Sequence, residues 1–199
     1  MTQSKSKLLG ELLQAKDGFV RTETLNKSGF SSRDIRRFLD EGKLKKIKQG
    51  YYTRKAQDIS DIQMVANLIP MGVMCLFTAV EFYDLATVNP SEICVALPRG
   101  ATCPALPPNL FVKIHHMTQR HFEAGITQVA INGATVRMYD IEKTVFDCFK
   151  YNNEVEKGIA LEVLKSYISR GNCNIHKFLE YAKLFGKSKT INPYVEALI

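Results

Sequence analysis

The segment between Gly29 and Gly42 constrains the fold of this chain more than any other. Ser31 and Asp34, three positions apart, have the form of a capping box, in which side chain and backbone exchange hydrogen bonds at a helix start. A helix is therefore predicted from Ser31 to about Glu41, ended by Gly42. Ile35, Phe38 and Leu39 fall at i, i+3 and i+4, a stripe that must face a core. At about 100° per residue, Arg33 and Arg37 lie one turn apart across from that stripe, with Arg36 on one flank and Asp34 on the other. One face of this helix is obliged to be buried, and three arginines surround the other.

The flanking residues supply the partners such a helix needs. Residues 4–16 place Leu8, Leu9, Leu12, Leu13 and Ala15 near a helical period, and Asp17-Gly18 closes that helix. Phe19-Val20-Arg21 reads as a short extended piece, Thr22 as the cap of a second helix running to about Ser28, and Gly29 as a left-handed turn residue. After Gly42, residues 43–54 form two strand-like runs with Gly50 near the bend, a basic hairpin. Helix, strand, helix, turn, helix and hairpin is the order of a winged helix-turn-helix.

That arrangement implies a division of labour on double-stranded DNA. The third helix fits the major groove, where an arginine fork reads guanine O6 and N7, each good pair discriminating by about 1–3 kcal/mol. Wing lysines meet phosphates and position the domain without reading sequence. The expected contact set is Ser32, Arg33, Arg36 and Arg37 on the helix with Lys43, Lys45, Lys46, Lys48, Gln49 and Arg54 on the wing. Asp40 and Glu41 make the helix end acidic, so its N-terminal half is expected to enter the groove. The alternative is a small basic helical domain whose lysines serve solubility alone.

Charge is distributed to match. Residues 1–56 hold 14 Lys and Arg against 6 Asp and Glu; residues 57–169 hold 8 against 12; residues 170–199 hold 5 against 2. A basic N-terminal module on a mildly acidic body is the electrostatic footprint of a nucleic-acid binder. The longest weakly polar stretch, residues 64–77, contains Asn67, Pro70 and Gly72 and falls short of the roughly 20 apolar residues a bilayer span requires. Glu11 and Gln14 interrupt any signal-like core at the N-terminus. A cytoplasmic protein is expected, and its five cysteines, odd in number and without a C-x-x-C pair, read as reduced, buried thiols.

Beyond residue 56 the pattern is α+β. Residues 58–70 and 78–85 carry helical periodicity, residues 92–97 read as a buried strand, and the four prolines in 98–108 make that stretch a loop. Strands follow at 110–117, 126–131 and 134–139, the last two around the hairpin signal Asn132-Gly133, giving a small mixed or antiparallel sheet. Helices are predicted at 141–151, 155–169 and 175–185, with a last short one after Pro193. The expected organisation is a winged helix-turn-helix over 1–56 and a mixed α+β domain with a helical C-terminal end over 57–199.

Motifs of chemistry are mostly missing from that second domain. Gly186-Lys187-Ser188 matches the end of a phosphate-binding loop, but Tyr181 occupies the place of its first glycine. No H-E-x-x-H, G-x-S-x-G or G-x-G-x-x-G occurs, nor the Gly-Ser and D-x-D pattern of a nucleotidyltransferase. His115 and His116, adjacent on a strand, point to opposite faces and do not readily share a metal, even with His121 nearby; no metal or other cofactor is expected. Asp140, Glu142, Lys143 and Asp147 gather at a helix start, where acidic residues are either caps or the groups of a nuclease; the reading taken is non-enzymatic. Lys177, Lys183, Lys187 and Lys189 form a second basic patch, a solvated face or a second nucleic-acid contact.

Several runs resemble one family throughout. Gly29-Phe30-Ser31, the arginine helix and Lys48-Gln49-Gly50-Tyr51-Tyr52 are similar to the N-terminal domain of the AbiEi-type antitoxins of type IV toxin-antitoxin and abortive-infection systems. Residues 76–81, 160–164 and 192–198 resemble later helices of the family, and residues 140–147 its Glu-Lys-Thr helix start. Asp84-Leu85 stands where Gly-Leu is usual, and Gln49 where an arginine is common. The resemblance implies a winged helix that binds inverted repeats at its own promoter, and a C-terminal domain that counters a nucleotidyltransferase-like toxin without a stable complex. A transcription regulator whose second domain senses a ligand or a partner protein is the alternative.

Overall fold

The computed structural model describes residues 2–15, 18–54, 59–132 and 134–198. Two compact units result: residues 1–68 with 104–110 and 132–134, and the remainder. The domain boundary expected at 56/57 lies outside the described residues, as do Asp17 and Gly133 of the expected turns.

In the first unit, α1 (Thr2–Gln14), β1 (Phe19–Arg21), α2 (Thr22–Lys27), α3 (Ser32–Asp40), β2 (Leu44–Lys48), β3 (Tyr51–Arg54) and α4 (Asp61–Leu68) follow in order. The three strands form a sheet of order β1-β3-β2, antiparallel throughout, with Val20 opposite Tyr52 and Lys45 opposite Thr53. A bulge between Lys46 and Lys48 twists the hairpin where Gly50, at φ 80°, turns it. Leu9 and Leu13 of α1, Leu25 of α2, Ile35 and Phe38 of α3 and Leu44 and Tyr52 of the wing are buried together, so each amphipathic element closes on the others. Thr22 is the first residue of α2 instead of its cap: Arg21 holds that position and no side chain caps the helix, because Arg21 still pairs with Tyr51 in the sheet.

The second unit contains β4 (Val73–Met74), α5 (Leu76–Phe82), β5 (Ile93–Pro98), β6 (Val112–Met117), α6 (Gln119–Glu123), β7 (Ile126–Ile131), β8 (Ala134–Tyr139), α7 (Ile141–Lys150), α8 (Lys157–Ser169), α9 (Ile175–Leu184) and α10 (Ser188–Glu196). Its sheet has the order β6-β5-β4-β8-β7 and is mixed: β5 runs parallel to β6 and antiparallel to β4, which pairs parallel to β8. The central β4 has two residues, too few for any period to show in sequence. Its approach depends on Gly72, where a Cβ would come 2.6 Å from Val95 Cγ1. Helix α5 starts at Leu76, two residues before the periodic stretch, and α6 carried no sequence signal long enough to recognise. Helix α8 starts at Lys157, two residues later than expected. Helix α10 runs through Pro193 instead of starting after it; Pro193 lies in its middle, and Lys187 stands at its N-cap without a side-chain bond. Phe146 and Phe149 of α7, Tyr167 of α8, Phe178 of α9 and Ile191 of α10 join the sheet's Val73, Cys94 and Tyr139 in one core. Cys75, Cys94 and Cys148 are buried as expected, whereas Cys103 and Cys173 are partly exposed.

Candidate nucleic-acid interface

The third helix begins as its sequence requires. Ser31 Oγ accepts from the Asp34 amide at 3.2 Å, and Asp34 Oδ2 takes the Ser31 amide at 3.0 Å and the Ser31 hydroxyl at 2.8 Å. The same Oδ2 is 2.6 Å from Nζ of Lys5 on α1, which spans 29 residues of sequence. Hydrogen bonding by Lys5, then by Ser31, holds the Asp34 carboxyl well below the usual carboxylate range. Asp34 is thereby buried at the α1–α3 contact, where the helical wheel alone placed it on an open flank.

The three arginines are not equivalent. Arg33 and Arg36 are exposed and, among the described residues, their side chains make no ion pair or hydrogen bond. Arg37 is half-buried: its Nη2 is 3.4 Å from Asp34 Oδ1, its Nε is 3.6 Å from Glu41 Oε1, and its guanidinium lies 4.9 Å from the Phe38 ring centroid. Arg37 is thus committed to its own helix, while Arg33 and Arg36 present unspent donors to solvent. Ser32, the first residue of α3, is exposed beside them.

On the wing, Lys45 is exposed on β2 and Lys46 bonds Gln49 Oε1 at 2.7 Å across the bend. Lys48 is half-buried; its Nζ lies 4.5 Å from the Tyr51 ring centroid and donates to the Ala105 carbonyl at 2.7 Å, within the same unit. Lys43 pairs with Glu41 at 2.7 Å, which offsets the acidic end of α3 that the sequence displayed. Arg54 lies at the other end of the hairpin, against Gly10 of α1, in a cleft of about 400 Å³ that Lys43 and Leu13 also line. Arg21, which the sequence did not single out, lies 5.1 Å from the Tyr51 ring centroid and donates to the Asn67 carbonyl at 3.4 Å. Lys5 was also missed, because nothing local to it announces a partner 29 residues away.

Residues 8–55 match the family model described as transcriptional regulator, AbiEi antitoxin. The winged module is therefore similar to the AbiEi family over these residues. No curated protein matches the sequence. The AbiEi match spans the C-terminal half of α1, α2, α3 and the whole hairpin, so the elements that carry Arg33, Arg36 and Lys45 all fall inside it. What the family implies is a transcriptional regulator. Among the described residues no helix is long and apolar enough to cross a membrane.

In the second unit the acidic helix start is a cap and a set of ion pairs. Asp140 caps α7, its Oδ1 accepting from the Lys143 amide at 2.7 Å, while its Oδ2 takes the Tyr181 hydroxyl at 2.8 Å. Glu142 is buried between the Tyr167 hydroxyl and Lys177, and Lys177 also reaches Asp140 at 3.0 Å. Lys177 thereby leaves the C-terminal basic patch. Lys143 and Asp147, one turn apart, are wholly enclosed with Nζ–Oδ2 at 2.5 Å, and Asp147 Oδ1 lies 2.9 Å from His121 Nε2. Against the cost of burial, the Lys143 ammonium and the His121 hydrogen bond hold the Asp147 carboxyl below its usual range. Glu142, Lys143 and Asp147 are buried, and Asp140 is partly buried. His115 is buried on β6 with Nδ1 3.2 Å from Glu154, and its neighbour His116 faces outward.

Proposed function

We propose that residues 1–56 are the operator-reading part of a transcriptional autorepressor, with Arg33 and Arg36 reading base edges in the major groove and Lys45 and Lys46 meeting phosphates. The observation that carries this reading is the pair of exposed arginines without protein partners on a helix whose opposite face is buried. Arginine forks left unsatisfied by the protein can satisfy guanine edges. The family match supports the regulatory half. Residues 57–199 act as the antitoxin, opposing a nucleotidyltransferase-like toxin without a stable complex; the family description and the resemblance of residues 140–147 support this.

The test is a mobility-shift titration with the protein's own promoter duplex and a scrambled duplex of equal length. Preference for the promoter, abolished in Arg33→Ala/Arg36→Ala, is the expected result; equal affinity for both duplexes overturns operator reading. Co-expression with the adjacent gene tests the antitoxin half, which fails if this chain does not restore growth.

A further inference from the structure

We propose that Tyr51, Arg21 and Lys48 form a brace that sets the pose of the wing, and that Lys48 is a positioning residue for operator binding and not a phosphate contact. The inference rests on the operator-reading role proposed above. In the sheet order β1-β3-β2 the three residues stand in one register row, with Arg21 opposite Tyr51 on one side and Lys48 opposite it on the other. Residues paired directly across neighbouring strands project to the same face, so the tyrosine ring has a cation on each adjoining strand. The distances agree: the Arg21 guanidinium lies 5.1 Å and Lys48 Nζ 4.5 Å from the Tyr51 ring centroid. Tyr51 and Lys48 are half-buried in this row.

Each cation also ties the row to a segment outside the hairpin, within the same unit. Arg21 donates to the Asn67 carbonyl of α4 at 3.4 Å, and Lys48 donates to the Ala105 carbonyl at 2.7 Å. Helix α4 is itself anchored, because its buried Gln63 donates to the Asn132 carbonyl at 3.1 Å. A short hairpin gains little rigidity from its own ladder, and the bulge between Lys46 and Lys48 interrupts that ladder beside the turn. The transverse row and its two ties therefore supply the constraint that the ladder lacks. Among the described residues neither Arg21 nor Lys48 has a carboxylate within ion-pair distance, so both charges stay in the field of the module. To reach a phosphate, however, Lys48 must leave both the ring and the carbonyl. Lys45, exposed on the same strand, has no such commitment among the described residues. Neutralised phosphates set the salt dependence of binding, whereas the pose of the wing sets how well the arginine helix meets its bases. The two roles are separable by experiment.

Fluorescence anisotropy of the full chain on promoter and scrambled duplexes at several salt concentrations tests this, together with hydrogen exchange of the hairpin amides without DNA. Lys48→Met and Tyr51→Leu should each weaken promoter binding by about tenfold, narrow the preference for promoter over scrambled duplex, and leave the salt slope at its parental value. Lys48→Arg and Tyr51→Phe, which keep the donor and the ring, should bind as the parent does. Without DNA, exchange over residues 44–54 should quicken by about tenfold in Lys48→Met and Tyr51→Leu. If Tyr51→Leu folds poorly, Arg21→Met, at an exposed position, takes its place with the same expected results. A salt slope lowered by about one in Lys48→Met marks a phosphate contact and overturns the proposal. Unchanged exchange in both variants overturns it as well, and so does quickened exchange with parental promoter affinity. A parent chain without promoter preference overturns the operator reading and with it the positioning role, while the exchange rates still decide the brace.

Discussion

Lys5 on α1 and Asp34 on α3 meet at 2.6 Å, and through that contact the first helix of the winged module holds the first turn of the third. Asp34 uses one oxygen for Lys5 and Ser31 and the other for Arg37, so a single carboxylate fixes the start of the helix, its seat on α1 and the rotamer of one arginine. Removing the cap by Ser31→Ala is expected to lower stability by about 1 kcal/mol in urea unfolding. The same variant should leave Arg33 and Arg36 able to bind DNA once folded.

Acid sensitivity follows from the direction of the Asp34 shift. Its folded-state pKa lies below the ordinary 3.8, so its contribution is fully present above that value and is lost as pH falls toward the folded-state pKa. Thermal melts of the parent chain and Asp34→Asn should therefore differ at neutral pH and converge below about pH 4. A difference that grew on acidification would contradict the ion-pair account. Lys5→Met should reproduce part of the loss and shift the convergence upward in pH.

On DNA the three arginines should separate. Arg33→Ala and Arg36→Ala are each expected to cost about 1–3 kcal/mol of promoter binding and to relax sequence preference. Arg37→Ala should chiefly lower the melting temperature, since its guanidinium serves Asp34, Glu41 and Phe38. Lys45→Ala should weaken binding to all sequences alike and reduce the salt slope by about one. Fluorescence anisotropy at several salt concentrations reads all four variants.

The enclosed triad of the second unit makes the sharpest stability claim. Asp147→Asn leaves the Lys143 ammonium buried without its carboxylate and is expected to destabilise by about 3–5 kcal/mol. Lys143→Met/Asp147→Leu removes both charges, and denaturant titration should show it recovering much of that loss. If the double variant is as unstable as the single one, packing and not charge dominates the site.

Gly125→Ala tests the close approach beside α7. Gly125 has φ 78°, and a Cβ there would meet Lys143 Cβ and the Tyr181 hydroxyl at 2.8 Å. Backbone strain alone predicts a loss of about 1–3 kcal/mol in equilibrium unfolding, and displacement of Tyr181 from Asp140 should add to it.

The sequence by itself determined the elements whose signals are local. The capping box at Ser31, the glycines at 29, 42 and 50, and the 3-4 spacing of Ile35, Phe38 and Leu39 each act within one or two turns, so they are readable without knowing what packs where. The hairpin around Asn132 and the cap at Asp140 belong to the same class. Tertiary structure alone decided the rest. Two-residue β4 exists because β5 and β8 flank it, and Pro193 stands inside α10 because that helix packs Ile191 and Val195 into the core. Arg33, Arg36 and Arg37 are alike in sequence, yet only packing distinguishes the one bound to two carboxylates from the two that are exposed. The same holds for Lys143, Lys150 and Lys177: a charge declares its residue type locally, but its partner is set by a fold that brings distant residues within a few ångströms.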